Sequence, residues 1–142
     1  MLSGVGGQGT ILAAKVLSEG LTRMGFDVKM SEIHGMSQRG GSVTSHVRFG
    51  TQVHSPVIPL GGADCLCGFE KLEALRCLPY LKQGGKLIVN NLELYPLPVL
   101  IGAAAYPQDV LLRLKEAVEG CLILHAHSEA EQLGNSRVEN IL

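Results

Sequence analysis

The stretch GVGGQG, residues 4–9, constrains the fold of this chain more than any other. It reads Gly4-x-Gly6-x-x-Gly9, with a further Gly7 and Gln8 inside it. In a dinucleotide-binding turn, the first glycine permits the tight turn, the second lets backbone approach a ligand, and the third lets the following helix pack on the strand. Thr10 to Met24 supplies that helix. Ala14, Leu17, Leu21 and Met24 recur at helical spacing, and Gly25 stops it. A helix N-terminus offers free N–H groups and a partial positive charge to a phosphate. Such a turn needs a preceding strand of about five residues. Met1 to Ser3 is only a stub, so the chain is expected to start late. Val28 to Glu32 is a candidate second strand, and Glu32 stands near the place where an acid holds a ribose hydroxyl. Two readings stay open: a nucleotide-binding turn, and a tight strand–helix junction that touches no ligand.

The rest of the chain alternates strand and helix. Val43 to Phe49 puts Val43, Ser45, Val47 and Phe49 on one face and Thr44, His46 and Arg48 on the other, the pattern of a half-buried strand. Gly50-Thr51 reads as a turn and Gln52 to Ser55 as a returning strand, ended by Pro56 and Pro59, which predicts an antiparallel hairpin. Ala63 to Gly68 is a short apolar strand. Glu70 to Leu78 is a helix, Gly84-Gly85 a turn, and Lys86 to Asn90 a strand. Leu92 to Tyr106 is irregular. Pro107 suits the first position of a helix reaching Glu119, Gly120 stops it, and Cys121 to Ala126 is the last strand. The tail from Ser128 to Leu142 looks helical. The expected fold is α/β: a Rossmann-like three-layer open sheet, mostly parallel, with an antiparallel hairpin.

Composition narrows the function. A net charge of -1 and the lack of a basic run argue against non-specific nucleic-acid binding. Aromatic content of 4% leaves little for a base-stacking platform. No run of about 18 apolar residues predicts a membrane span, and no signal-type N-terminus is present. Cys65, Cys67, Cys77 and Cys121 match neither a C-x-x-C site nor a ferredoxin run. Cys65 and Cys67, two apart on a strand, read as small buried hydrophobes. A reduced, cytoplasmic setting fits.

The second motif is SEIHGMSQRGGSVTSHVRFG, residues 31–50. In an open α/β sheet such a loop lies at the carboxyl edge, where ligands bind. His34, Ser37, Gln38 and Arg39 are candidate contacts for a ligand or a partner. Arg39, beside Gly40 and Gly41, has a planar fork suited to a phosphate or carboxylate. A solvated loop or a subunit contact is the competing reading. His34 and His46 read as ordinary structural histidines rather than catalytic ones.

Together with SPVIP and ADCLCGFEKLEALRCLPYLKQGGKLIVNN, these motifs resemble the gamma-type subunit of 2-oxoacid:ferredoxin oxidoreductases, which in the indolepyruvate enzymes is the beta chain. The likeness covers nearly the whole chain, and Glu32 to Gly41 is its most specific part. The resemblance implies one gamma-type domain over residues 1–142, truncated at both ends, acting as a subunit rather than as an enzyme alone. It implies oxidative decarboxylation of a 2-oxoacid to an acyl-CoA, with electrons passed to ferredoxin. Thiamine diphosphate and 4Fe-4S clusters would lie on a large partner subunit, none being bound by this chain alone. The glycine turn, Gly4, Gly6, Gly7, Gln8 and Gly9, would either contact CoA in the complex or pack against the large subunit, with Glu32, His34, Ser37, Gln38, Arg39, Gly40 and Gly41 completing the surface. No metal ligand and no catalytic side chain is assigned here. A stand-alone dinucleotide-binding module and a purely structural interaction domain remain the alternatives. The isolated chain is expected to self-associate through an uncovered sheet face.

Overall fold

The computed structural model describes residues 1–34 and 40–135, with the side chain of His34 left out. Six strands form one sheet in the order β2-β3-β1-β4-β5-β6: β1 (Leu2–Val5), β2 (Asp27–His34), β3 (Ser42–Gly50), β4 (Ala63–Gly68), β5 (Leu81–Asn90) and β6 (Leu122–Leu124). β1, β4, β5 and β6 run parallel to their neighbours in that series. β3 runs antiparallel to both β2 and β1. The expected α/β sheet, mostly parallel with an antiparallel part, is what forms.

The helices take opposite faces: the connection after β1 crosses one face of the sheet, and those after β4 and β5 cross the other. α1 (Thr10–Arg23) returns the chain to β2 on one side, and its Ala14 packs with Leu2 and Val47. α2 (Lys71–Cys77) and α4 (Val110–Ala117) connect β4 to β5 and β5 to β6 on the other face. That second face holds the larger core. Leu66, Leu87, Val89, Val110 and Leu114 are each at most 1% exposed, and burying such side chains stabilises by about 1.5–3 kcal/mol apiece. Gly68 lets α2 come in close: a Cβ there would stand 2.4 Å from Ala74 Cβ. Two short helices, α3 (Leu97–Leu100) and α5 (Ala126–Gln132), complete the described chain.

Several local expectations change. Residues 52–55 form no strand, and the antiparallel partner of β3 is β2, with Val28 opposite Phe49 and Glu32 opposite Ser45. The returning chain is tied down instead by a side chain, Asp27 Oδ2 accepting from Val53 N at 2.8 Å. Gly84 and Gly85 lie within β5 rather than before it, where the β4–β5 register shifts between Ala63 and Cys65. α4 begins at Val110 rather than at Pro107. The last strand is Leu122–Leu124, and the tail helix begins at Ala126, with residues 136–142 outside the described set. Cys65 and Cys67 share a face as expected, but Cys65 is exposed and Cys67 only half-buried, because α2 and α4 pack on the other side of β4.

Candidate functional site

The sheet's connections diverge between β1 and β4, and the crevice outside their carboxyl ends is where open α/β sheets hold ligands. Here a side chain fills it. Gln8, 8% exposed, accepts from Val5 N at 2.7 Å and donates from Nε2 to Phe69 O at 3.0 Å. Gly4 makes room for it, since a Cβ at Gly4 would lie 2.8 Å from Gln8 Oε1. Asn90 continues the lacing: Nδ2 donates to Phe69 O at 3.4 Å and Oδ1 accepts from Ala126 N at 3.1 Å.

The turn is built by backbone conformations that favour glycine, Gly7 at φ 105 and Gly9 at φ 79. Gly6 N donates to Gly41 O at 2.8 Å, and Gly40 N to Gly6 O at 3.5 Å. The two sequence motifs therefore meet. Gly40-Gly41, in the middle of the second motif, extends the β1–β3 ladder onto the first. Gly9 caps α1 without a side-chain bond, and Ala13 N to Gly9 O is the bond that opens the helix. The amides of Thr10, Ile11 and Leu12 thus point out of the helix start.

Beside this helix start lies a concavity of about 640 Å³. Gly6, Gly7 and Gly9 form one wall, Thr10, Ile11, Leu12 and Lys15 another, and Glu32 and Val43 the third. Its size suits a small molecule or a cofactor fragment. Lys15 and Glu32 put one positive and one negative group on its lining. A slightly larger concavity, about 790 Å³, lies by Gln83 to Lys86 and Ala117 to Gly120, away from the glycine turn.

On the other side of the turn, Val5 and Gly40 to Ser42 face Glu73 and Arg76 of α2 and the segment Leu94 to Pro98. Arg76 Nη1 meets Glu73 Oε1 at 2.5 Å. Glu70, 1% exposed, caps α2 by accepting from Glu73 N at 2.8 Å, and accepts from Tyr106 OH at 2.6 Å. Burial pushes the Glu70 carboxyl above the ordinary glutamate range, although these hydrogen bonds oppose the shift. Burial, with the Glu70 bond added, pushes the Tyr106 hydroxyl well above its usual value. Lys71, 7% exposed, pairs with Glu93 and stands 5.6 Å from the centre of the Tyr106 ring. The hydrogen bond from Lys71 holds the Glu93 carboxyl below its usual range. This cluster fastens the segment after β5 to the carboxyl edge.

Of the residues expected from sequence, Gly6, Gly7, Gly9 and Glu32 are brought together around the concavity, and Gly40 and Gly41 bond to the turn. Gly4 and Gln8 shape the turn from inside. His34 ends β2 opposite Val43, while Ser37, Gln38 and Arg39 lie outside the described residues. His46 is 1% exposed and its Nδ1 accepts from Ile58 N at 3.0 Å, a structural role. Lys15 and Arg76 were not singled out in the sequence. Lys15 follows Gly9 by less than two helical turns, the only signal that places it near the ligand end of α1.

The family profile described as pyruvate ferredoxin/flavodoxin oxidoreductase matches residues 1–142. The protein named indolepyruvate oxidoreductase subunit IorB from Thermococcus kodakarensis is 44% identical over 119 residues, covering 84% of this chain and 58% of that protein. Its namesake from Pyrococcus horikoshii is 39% identical over 145 residues, covering 100% of this chain and 72% of that one. The chain thus spans little more than half of the Thermococcus relative. Among solved structures, the keto/oxoacid ferredoxin oxidoreductase gamma subunit of Geobacter sulfurreducens aligns over 99% of this chain and 69% of its own, with TM-score 0.64 and 22% identity. A 2-oxoglutarate:ferredoxin oxidoreductase from Magnetococcus marinus, solved with 2-oxoglutarate, coenzyme A and succinyl-CoA bound, aligns over 99% of this chain and 22% of its own, with TM-score 0.66 and 18% identity. These two show the shared fold. Across its whole length, this chain belongs to the pyruvate ferredoxin/flavodoxin oxidoreductase family.

Proposed function

We propose that this chain is the gamma-type subunit of an indolepyruvate or related 2-oxoacid:ferredoxin oxidoreductase. That enzyme decarboxylates a 2-oxoacid oxidatively, forms an acyl-CoA and passes the electrons to ferredoxin. The observation that carries the reading is the match of the whole chain to 72% of a relative named as a subunit of indolepyruvate oxidoreductase. In this reading thiamine diphosphate and the 4Fe-4S clusters lie on a large partner subunit, and ferredoxin is reached through the complex. The cysteines of this chain support that division. Cys77 and Cys121 pack on one face of the sheet and Cys67 on the other, which is not the arrangement of a cluster site.

The chain's own contribution is a surface at the carboxyl edge that completes or covers the partner's site. Gly6, Gly7, Gly9 and the amides of Thr10 to Leu12 would receive the phosphates of CoA. Glu32, His34, Ser37, Gln38, Arg39, Gly40 and Gly41 would continue that surface, with Gly4 and Gln8 fixing the shape of the turn. Affinity capture of the full-length protein from its native cytoplasmic extract, with iron and thiamine assays, tests the reading. Recovery of a large iron- and thiamine-containing partner supports it; recovery of the chain alone overturns it.

A second reading, a stand-alone nucleotide-binding module, draws on the concavity between the glycine turn and Glu32. Calorimetry of the isolated chain with NAD, FAD and CoA separates the two. No binding of NAD or FAD sinks this alternative.

A further inference from the structure

The concavity beside the glycine turn carries two opposite charges on separate walls. Lys15 stands on α1 and is exposed, and Glu32 stands on β2 and is half-buried. Among the described residues neither side chain makes a hydrogen bond or an ion pair. That sets them apart from other charges at the carboxyl edge, where Lys71 pairs with Glu93 and Arg76 with Glu73. An ammonium and a carboxylate that line one space without meeting select a ligand with two unlike ends. The ammonium donates hydrogen bonds and attracts phosphate. The carboxylate only accepts, and it repels phosphate.

Their positions sort the parts of such a ligand. The unpaired amides of Thr10 to Leu12 come first, beside the glycine turn. Lys15 follows Thr10 by five residues, about 7.5 Å along the helix axis. A phosphate held at the helix start therefore leaves Lys15 for a second phosphate, set off from the first by the width of a sugar. Glu32 lies on the wall it shares with Val43, which is 4% exposed. A group that settles there must bring N–H or O–H donors and no negative charge.

CoA has two unlike ends in this sense. Its head carries a diphosphate and a 3′-phosphate on the ribose. Its pantetheine arm is uncharged and donates through a hydroxyl and two amide N–H groups. We propose that Lys15 and Glu32 fix the direction in which CoA lies: the pantetheine arm crosses Glu32 and Val43 and donates to the Glu32 carboxylate, and the 3′-phosphate lies on the Lys15 side. The reverse direction would press the 3′-phosphate on Glu32 and leave Lys15 over an uncharged chain. The inference rests on the CoA reading of this surface, and adds to it the direction of the ligand and the residues that set it.

Calorimetry of the assembled oxidoreductase without 2-oxoacid, direct or by displacement, tests it with three ligands. These are CoA, dephospho-CoA, which lacks the 3′-phosphate, and 4′-phosphopantetheine, which keeps the arm and one phosphate but lacks the adenosine. Glu32→Leu should weaken all three alike, about tenfold, as a charge-assisted hydrogen bond is lost. Glu32→Gln keeps an acceptor and should lose less. Lys15→Ala should weaken CoA about tenfold and the other two by less than about twofold. Circular dichroism and retention of the partner subunit check that each variant is folded. Two patterns overturn the direction while leaving CoA at this surface. A Glu32→Leu enzyme that binds CoA more tightly, but not dephospho-CoA, has the 3′-phosphate at Glu32. One that weakens CoA and dephospho-CoA but spares 4′-phosphopantetheine has the adenosine there. CoA binding that no variant alters would overturn the placement of CoA itself.

Discussion

Gln8 Nε2 donates to Phe69 O at 3.0 Å while its Oε1 accepts from Val5 N at 2.7 Å, so one side chain ties the end of β1 to the end of β4. The crevice that a ligand enters in many open α/β sheets is thereby occupied from within. Ligand-sized space is displaced to the flank of the turn, toward Glu32. Gln8→Leu keeps the volume but strands the Val5 amide, and should cost about 1–3 kcal/mol. Gly4→Ala should cost a similar amount, about 1–3 kcal/mol, because its methyl would press on Gln8 and Thr10. Both changes displace the same side chain, so the double variant should lose less than the sum. Denaturant titration measures all three, and strict additivity would show that Gln8 does not couple the two sites.

Two buried groups should give the stability opposite slopes with pH. The Glu70 carboxyl is raised in the fold by burial, so the folded chain holds its proton more tightly than the unfolded one. Its contribution is full below the ordinary value of about 4.3 and is lost as pH rises through the raised value. His46 is lowered by burial. Its contribution is full above the ordinary value of about 6.5 and is lost as pH falls through the lowered value. Glu70→Gln should therefore gain on the parent as pH rises above about 4.3. His46→Leu, destabilised overall through the lost Ile58 bond, should lose the acid-side decline. Urea midpoints taken across this range check both, and a Glu70→Gln profile parallel to the parent's would refute the first.

The parts of this fold that could be read from sequence are those set by local chemistry. The glycine turn and α1 follow from Gly9, Thr10 and the spacing of Ala14 and Leu21, all within a few residues of one another. The partner of β3 could not be read this way. Gly50-Thr51 has the composition of a hairpin turn, but the ladder forms with β2 across residues 35–41, and Asp27 holds the chain near Val53 without a strand. The meeting of Gly6 with Gly41 depends on that same long-range register. The face of Cys65 and Cys67 was legible from alternation. Their exposure was not, because it depends on which side α2 and α4 take. Lys15 reads as a solvated helix charge until β2 brings Glu32 to the same concavity.

Within the proposed complex, that concavity makes a prediction separate from folding. If CoA phosphates lie at the start of α1, Lys15→Ala should raise the KM for CoA about tenfold, the loss of roughly 1.4 kcal/mol, and leave the KM for the 2-oxoacid unchanged. Steady-state kinetics of the reconstituted enzyme, varying each substrate in turn, gives the answer. Equal effects on both substrates would point to an assembly role for Lys15.

The cysteines give the last prediction. Burial pushes the Cys67 thiol up to about 11, and the Cys77 thiol likewise to about 11. The thiolate is the reactive species, so at pH 8 each exists as thiolate at roughly one part in a thousand. Cys65 stands on the same strand as Cys67 but in solvent. In the folded chain, iodoacetamide should modify Cys65 well before Cys67 or Cys77, as peptide mass spectrometry would resolve. Raising the pH toward 11 should speed Cys67 and Cys77 as long as the chain stays folded. Early modification of Cys67 at pH 8 would mean that the β4 face opens far more than its packing against Phe69 and α1 allows.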